Sequence, residues 1–180
     1  MNRPSMLANI PAILAHLRKE RVKEEAGMMG LFGEATVDDL PMIELPDWDA
    51  DTKLYWERKA LGTFVSGHPM DRVADKVAKA KVTHTARQFD DMMACDMRER
   101  VVIAGLVERV EAIGRITLVD VSDQSGRCEL MMFSDEADRL AHCIMPNAMV
   151  VAKLRPRHSG NRQSLQILDA YRLGHFRTPQ

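Results

Sequence analysis

The sequence predicts an α+β protein in which an N-terminal helical arm precedes a five-stranded β-barrel, with a helix between strands 3 and 4. Up to residue 97 the apolar residues mostly recur at helical spacing, whereas from residue 98 onward they form short runs separated by Gly, Asn or Ser. The chain has 180 residues, 46% of them hydrophobic and 28% charged, so it is able to bury a core.

The helical part begins with a predicted helix over residues 6–26, where apolar side chains recur three or four positions apart. Residues 28–48 contain two glycines, two prolines and several acids, which predicts an extended linker. A second helix is predicted over residues 49–65. It ends before His68, because the proline that follows His68 disfavours helical geometry at this residue. Residues 71–80 predict a further short helix.

The second part of the sequence predicts strands bounded by turn-forming residues. The five predicted strands are residues 101–110, 115–123, 127–133, 148–156 and 164–173. Residues 134–143 predict a helix between the third and fourth strands, and Gly105 fits a bend in the long first strand. This order of strands and helix is typical of the OB-fold, a five-stranded Greek-key barrel.

The predicted organisation has five parts. They are a helix at residues 1–27, a linker at 28–48, a helical connector at 49–97, an OB domain at 98–175 and a tail at 176–180.

Charge and cysteine content exclude several classes of function. Residues 1–97 carry 13 basic and 16 acidic side chains (−3) and residues 98–180 carry 12 and 10 (+2), which gives the net charge of −1. Neither part is basic enough for tight autonomous binding of nucleic acid. Cys95, Cys128 and Cys143 are spaced too far apart for a zinc knuckle, so we expect reduced thiols. The sequence shows no signal pattern and no apolar run of membrane length, which together with reduced thiols indicates the cytoplasm.

Four sequence segments together resemble one protein family. They are GLFGE at 30–34, WERKALGTFVSGHPMD at 56–71, RERVVIAGLVERV at 98–110 and LVDVSDQSGRCELMMF at 118–133. In this combination and spacing they are similar to the α subunit of bacterial DNA polymerase III, a replicative C-family polymerase. The resemblance covers roughly residues 4–174 and spans the end of the helix-hairpin-helix region, the internal clamp-binding segment and the OB domain.

The resemblance implies a DNA-replication module that is not an enzyme by itself. In the family's layout the polymerase palm, with its metal-binding aspartates, precedes this region, so we expect no catalytic residue, no metal site and no cofactor here. The implied partners are single-stranded template DNA, the β sliding clamp and other subunits of the polymerase III holoenzyme, with no membrane. An excised fragment and a truncated reading frame both fit this expectation.

The resemblance places a clamp-binding segment at residues 28–32. Clamp-binding peptides of the family are similar to Gln-x-x-Leu-Phe, and Leu31 and Phe32 match the apolar pair. Met28 stands where the family has glutamine, which removes a polar contact with the clamp. The alternative is that these apolar residues pack on the neighbouring helical domain.

Nucleic-acid binding is expected on the barrel, because OB-folds bind oligonucleotides over strands two and three and through the loops 1–2 and 4–5. The predicted contacts are cationic residues next to those elements: Arg115, Arg127, Arg155, Arg157, His158 and Arg162. For base stacking the sequence offers Phe133, Tyr171 and Phe176, with Phe133 expected in the core. We therefore expect weak, salt-sensitive binding.

Two other interpretations remain. The near-neutral charge and the few aromatic residues also suit a protein-interaction or scaffolding OB module that docks replisome subunits without binding nucleic acid. An independent OB protein, such as a tRNA-anticodon domain, lacks the GHP and GLFGE segments. His68 is interpreted as a turn residue, because no catalytic constellation surrounds it in the sequence.

Overall fold

A computed structural model describes residues 1–25, 40–95, 99–159 and 162–179, without the side chains of Glu24, Glu25 and Arg162. The chain divides into two compact units, residues 1–50 and residues 51–180. The five-part organisation given above stays a prediction. Within the described ranges, no helix combines the length and the apolar character needed to cross a bilayer.

The first unit is built on helix α1, Arg3–Glu25, which confirms the first predicted helix. Two buried polar side chains of α1 hold the returning chain by its backbone. The Asn9 side chain donates to the Ile43 carbonyl (2.8 Å) and accepts from the Ile43 N–H (2.9 Å). The Ser5 hydroxyl accepts from the Leu45 N–H (2.9 Å). These bonds satisfy backbone groups of an extended segment that has no sheet partner among the described residues of this unit.

The second unit opens with a helical connector that precedes the barrel. Its elements are helix α2 at Ala50–Leu61, a 3₁₀ turn at Pro69–Val73, helix α3 at Ala74–Lys79 and helix α4 at Phe89–Ala94. Helix α2 ends four residues before the predicted end, and Gly62 follows it in a left-handed conformation (φ 75°) that ends many helices.

Five strands follow and close into a barrel. The strands are β1 at Val101–Ile113, β2 at Ile116–Ser122, β3 at Arg127–Phe133, β4 at Ala148–Ser159 and β5 at Arg162–His175. Their order around the barrel is β1-β2-β3-β5-β4, and only the β3–β5 pair among these is parallel. Helix α5, Ser134–Leu140, lies between β3 and β4. The predicted α+β class and OB-fold topology are confirmed.

Strand β1 is buried on both faces along its first half. Val101, Ile103 and Val107 belong to the core inside the barrel. Val102 and Ala104 face a second apolar cluster, in which they pack with connector residues such as Met70. The unbroken apolar run at the start of β1 therefore reflects two-sided burial. We call the barrel surface that the connector covers the junction face.

Gly105 allows the closest backbone approach in the barrel. A Cβ atom at this position would lie 2.3 Å from Cγ1 of Val121 and 2.8 Å from the carbonyl oxygen of Ser122. Strand β1 pairs with β4 at Gly105 and with β2 from Leu106 onward, so it passes from one neighbour to the other here. The predicted bend thus coincides with a site that only glycine fits without movement.

His68 links the connector to the barrel at the junction face. Its Nδ1 accepts from the Met70 N–H (3.2 Å) and caps the 3₁₀ turn, so its Nε2 carries the proton in the neutral ring. Nε2 then donates to the Ser122 hydroxyl (3.3 Å). The Asp71 carboxylate accepts from the His68 N–H (2.8 Å) and from the Gln124 side chain (2.8 Å). These contacts agree with the interpretation of His68 as a turn residue.

Candidate nucleic-acid interface

A groove of about 660 Å³ crosses the outer surface of the barrel over β2 and β3. The hairpin formed by β4 and β5 supplies its second wall. Apolar residues line the floor, and they are Phe89, Ile116, Leu118, Leu130, Met131 and Phe133. The polar lining residues are Glu129, Arg157, Ser159, Gln163 and Ser164. This is the surface that OB-folds use for oligonucleotides.

The register of β2 and β3 builds the floor of the groove. Ile116 pairs with Phe133 and Leu118 pairs with Met131, which gives two apolar cross-strand pairs in succession. Side chains alternate between the two faces of a strand, so both pairs share the outer face. The floor therefore offers apolar contact area for flat ligand groups such as bases.

Arg157 is held in place at the wall of the groove. Its guanidinium carbon lies 4.9 Å from the centre of the Phe133 ring, within the range of a cation–π contact. Its Nη1 donates to Oε1 of Gln166 (3.4 Å), and the Gln166 amide donates in turn to Glu136 (2.8 Å). The carboxylate thus acts on Arg157 only through a neutral amide, and no described carboxylate forms an ion pair with this guanidinium.

The other predicted cations differ in their surroundings. Arg155 and His158 are exposed on β4, and Arg115 is exposed in the β1–β2 turn beside Ile116. The described residues provide no ion pair for any of these three side chains. Arg162 begins β5 directly opposite Ser159, and its side chain lies outside the described part.

Arg127 lies away from the groove, at the junction face. Its guanidinium forms an ion pair with the Glu108 carboxylate (3.1 Å) and donates to the Gly62 carbonyl (2.8 Å). The Glu108 side chain is only 7% exposed, and Arg58 lies 3.6 Å from the same carboxylate oxygen. Arg127 lines a separate cleft of about 410 Å³ beside His68. It is the predicted contact residue that the structure separates from the others.

Polar groups of that cleft are engaged with one another. Burial lowers the pKa of His68, and the nearby carboxylates of Asp71, Asp123 and Glu108 oppose this effect. The pKa of Asp71 is lowered because the Gln124 side chain, and then the His68 backbone N–H, donate to its carboxylate. This arrangement fastens the connector to the barrel.

The aromatic residues do not lie where the sequence suggested. Phe133 was expected in the core, but it is half-buried and lines the groove, because it lies on the outer face of β3. Phe176 is 1% exposed and packs against Phe64, so it is not available for stacking. Tyr171 is 49% exposed. Ile116, Leu118 and Met131 were missed as floor residues, although the alternation of their strands carries that signal.

The predicted clamp-binding residues Met28, Leu31 and Phe32 lie outside the described residues. The structure therefore neither supports nor opposes this part of the prediction.

The fold and the groove define an OB-fold barrel with a candidate interface for single strands. No protein-family profile matches the chain. The sequence is similar to DNA polymerase III subunit alpha, as predicted: it is 26% identical to the Vibrio cholerae protein, a match that covers 83% of this chain and 13% of the relative. With the Thermus aquaticus protein the identity is 28%, over 73% of this chain and 11% of the relative. The chain thus corresponds to a small part of the curated relatives that it matches.

Solved structures give a looser similarity. An OBody bound to hen egg-white lysozyme is 20% identical and has a TM-score of 0.43, over 52% of this chain and 95% of that one. A chain of a Replication Protein A heterotrimer bound to ssDNA is 16% identical, with a TM-score of 0.40, over 51% of this chain and 79% of that one.

Proposed function

We propose that this chain is a non-catalytic DNA-replication module that binds single-stranded DNA weakly in the cytoplasm. The groove over β2 and β3 holds the bases, and the cations of the β4–β5 hairpin contact the phosphates. The proposal rests on the absence of carboxylate partners for these cations among the described residues. Arg157 lines the groove, and Arg155 is exposed two positions earlier on the same face of β4. Neither has a carboxylate partner among the described residues, whereas Arg127, Arg109 and Arg139 are all paired.

The chemistry of single strands fits this division of the groove. Bases are flat. When binding is independent of sequence, their faces contact apolar and aromatic side chains. Phosphates are held by solvated guanidinium groups, which release counterions on binding. With Phe89 and Phe133 as the aromatic side chains among the described residues of the floor, stacking contributes little, so affinity is modest and depends on salt. Similarity to polymerase III α subunits makes replicating DNA the most reasonable source of such a strand.

Fluorescence anisotropy with labelled single-stranded DNA at low salt tests the proposal. The double variant Arg155→Ala, Arg157→Ala is expected to weaken binding about tenfold or more. It also lowers the slope of log affinity against log salt by about 1.4, because each lost contact with a single strand removes about 0.7. Binding that persists unchanged in this variant would contradict the proposed site.

A matched control separates a local contact from a general effect of charge. Arg139→Ala with Lys79→Ala removes the same two positive charges from side chains that do not line the groove. Arg139 is already paired with Asp169 (3.3 Å), and Lys79 is exposed on α3. We expect this control to change affinity less than twofold. An equal loss in both double variants would mean that net charge, and no particular site, governs binding.

Contact with the sliding clamp is the second part of the proposal. It is supported by the sequence of residues 28–32 and by the similarity to polymerase III α subunits. Leu31→Ala with Phe32→Ala is expected to abolish binding to purified clamp. Met28→Gln restores the polar contact that the family pattern has, and one hydrogen bond of about 1 kcal/mol corresponds to about fivefold tighter binding. If neither variant changes the clamp affinity, this segment is not the contact.

A scaffolding function is favoured by the same floor. Ile116, Leu118 and Met131 form an apolar strip that also suits a segment of another replisome subunit. A pull-down with polymerase accessory subunits distinguishes the two functions. Tight capture of such a subunit, with no anisotropy change on addition of DNA, would replace DNA binding by protein docking.

A further inference from the structure

Glu129 places a carboxylate inside the proposed DNA groove. It lies on the outer face of β3, is exposed, and is the only acidic residue among the described ones that line the groove. Its cross-strand partner is Asp120. This acidic pair lies next to the two apolar pairs of the floor, on the same face of the sheet. A negative group is unexpected in a site for a polyanion.

The pairing of Glu129 with Asp120 is unfavourable for folding. Like charges that face each other directly across two strands destabilise a sheet. Arg109 compensates Asp120, because its Nε donates to the Asp120 carboxylate at 2.8 Å. Glu129 has no hydrogen bond or ion pair to any residue in the described ranges. Arg109 attracts this carboxylate electrostatically, but no hydrogen bond or ion pair joins the two side chains, so Glu129 remains exposed to the groove without a direct partner among the described residues.

The charge of Glu129 limits what part of a strand can lie beside it. A phosphate is repelled by a carboxylate, so the backbone must follow the opposite wall, where Arg157 stands. A base can present its hydrogen-bonding edge instead. An ionised carboxylate only accepts hydrogen bonds, so it requires a donor from that edge.

We propose that Glu129 determines base specificity in the groove by accepting a hydrogen bond from the exocyclic amino group of a base. This inference rests on the proposed binding of single-stranded DNA. Cytosine presents such an amino group, and a carboxylate is its usual acceptor in proteins. At the place of that amino group uracil and thymine present a carbonyl oxygen, which a carboxylate repels, so only their N3–H, one position along the same edge, remains as a donor. The groove thus prefers strands rich in cytosine to strands rich in thymine.

The test compares two oligonucleotides of about 12 nucleotides, within the range that one OB-fold covers. One is oligo-deoxycytidine and the other is oligo-deoxyuridine, which lacks the methyl group of thymine and so isolates the amino-to-carbonyl change. Anisotropy at low salt and neutral pH is expected to show that the wild-type chain binds the cytidine strand about tenfold more tightly, as one hydrogen bond to a charged group predicts.

The variant Glu129→Gln keeps the size of the side chain and can both donate and accept. It is expected to bring the affinity ratio of the two strands close to one, mainly by strengthening binding of the uridine strand. The control Asp138→Asn removes the same charge from an exposed residue of α5 that does not line the groove, and it keeps the wild-type ratio.

Three results would overturn the inference. Equal binding of the two strands by the wild-type chain, or an unchanged ratio in Glu129→Gln, would exclude Glu129 as the determinant while DNA binding itself stands. No binding of either strand would exclude the specificity and the proposed function together.

Discussion

Arginine side chains have different partners at the junction face and in the groove. At the junction face Arg127 contacts the nearly buried Glu108 carboxylate and a backbone carbonyl. In the groove Arg157 contacts a ring and a neutral amide. Arg155, exposed on the same strand, has no ion pair among the described residues. Both surfaces contain a cleft. The comparison predicts that the partner of an arginine, and not its residue type or its exposure, distinguishes a structural cation from one that binds DNA.

The largest expected effect concerns the packing inside the barrel, where β1 passes from β4 to β2. Gly105→Ala would place a methyl group 2.3 Å from Cγ1 of Val121 and 2.8 Å from a backbone oxygen. Because the backbone cannot move aside as a flexible side chain does, we expect a loss of about 3 kcal/mol in the free energy of unfolding, at the upper end for overpacking. Urea denaturation followed by circular dichroism measures it.

Gly126→Ala is the matched control for this substitution. Its added Cβ would lie 3.6 Å from the nearest heavy atom, the Cβ of Arg87, which is an ordinary contact distance. We expect a change below about 1 kcal/mol. Equal effects of the two substitutions would mean that the barrel relaxes around Gly105.

Arg127→Ala is expected to have the next largest effect. It tests directly whether the arginines of the junction face and of the groove differ in function. The substitution leaves the Glu108 carboxylate, 7% exposed, with only the more distant Arg58. We expect the free energy of unfolding to fall by about 2 kcal/mol, in the range for a lost hydrogen bond to a charged group. The affinity for single-stranded DNA is expected to change less than twofold. A variant that is fully stable but binds DNA poorly would place Arg127 with the groove cations.

Much of the fold could be predicted from the sequence because its signals are local. The order of strands and helix α5 depends on runs of apolar residues and the turn residues between them, and both are visible in one dimension. The ends of strands β4 and β5 in their hairpin were harder to predict from the sequence. Polar residues such as Arg157 and His158 extend β4 to Ser159, because cross-strand pairing with β5 continues beyond the apolar part.

The site was only partly predictable, because its parts come from distant positions. Arg155 and Arg157 followed from the loop that OB-folds use. The separation of Arg127 could not be foreseen, since it depends on Glu108, which is 19 positions earlier in the sequence but beside it in the barrel. Phe133 ends an apolar run, and only its alternation with Glu129 and Met131 along the strand indicates that it lies on the outer face.

Burial of His68 gives the junction face a pH dependence. Burial lowers the pKa of His68 in the folded protein, whereas the unfolded chain keeps a value of about 6.5. Above that pH the ring is neutral in both states and has no effect. As the pH falls below it, the unfolded state binds the proton first, so stability decreases until the folded-state pKa is also passed.

Urea denaturation at about pH 7.5 and at lower pH measures this effect, since the unfolded histidine titrates at about 6.5. In His68→Gln the part of the pH dependence due to this ring is expected to disappear. His158→Gln alters an exposed histidine beside the groove and is expected to keep the wild-type dependence. The reverse pattern would show that the groove, and not the junction, is the titrating region.

The smallest expected effect is that of Arg155→Ala on stability. The Arg155 side chain is exposed on β4, opposite Gln166, and no described carboxylate pairs with it. Removing a solvated cation changes the free energy of unfolding by less than about 0.5 kcal/mol, which is typical of surface positions. Urea denaturation should therefore place the variant with the wild type, although its DNA affinity is reduced. A loss as large as that of Arg127→Ala would mean that Arg155 is also a structural cation, and the contrast between the two faces would not hold.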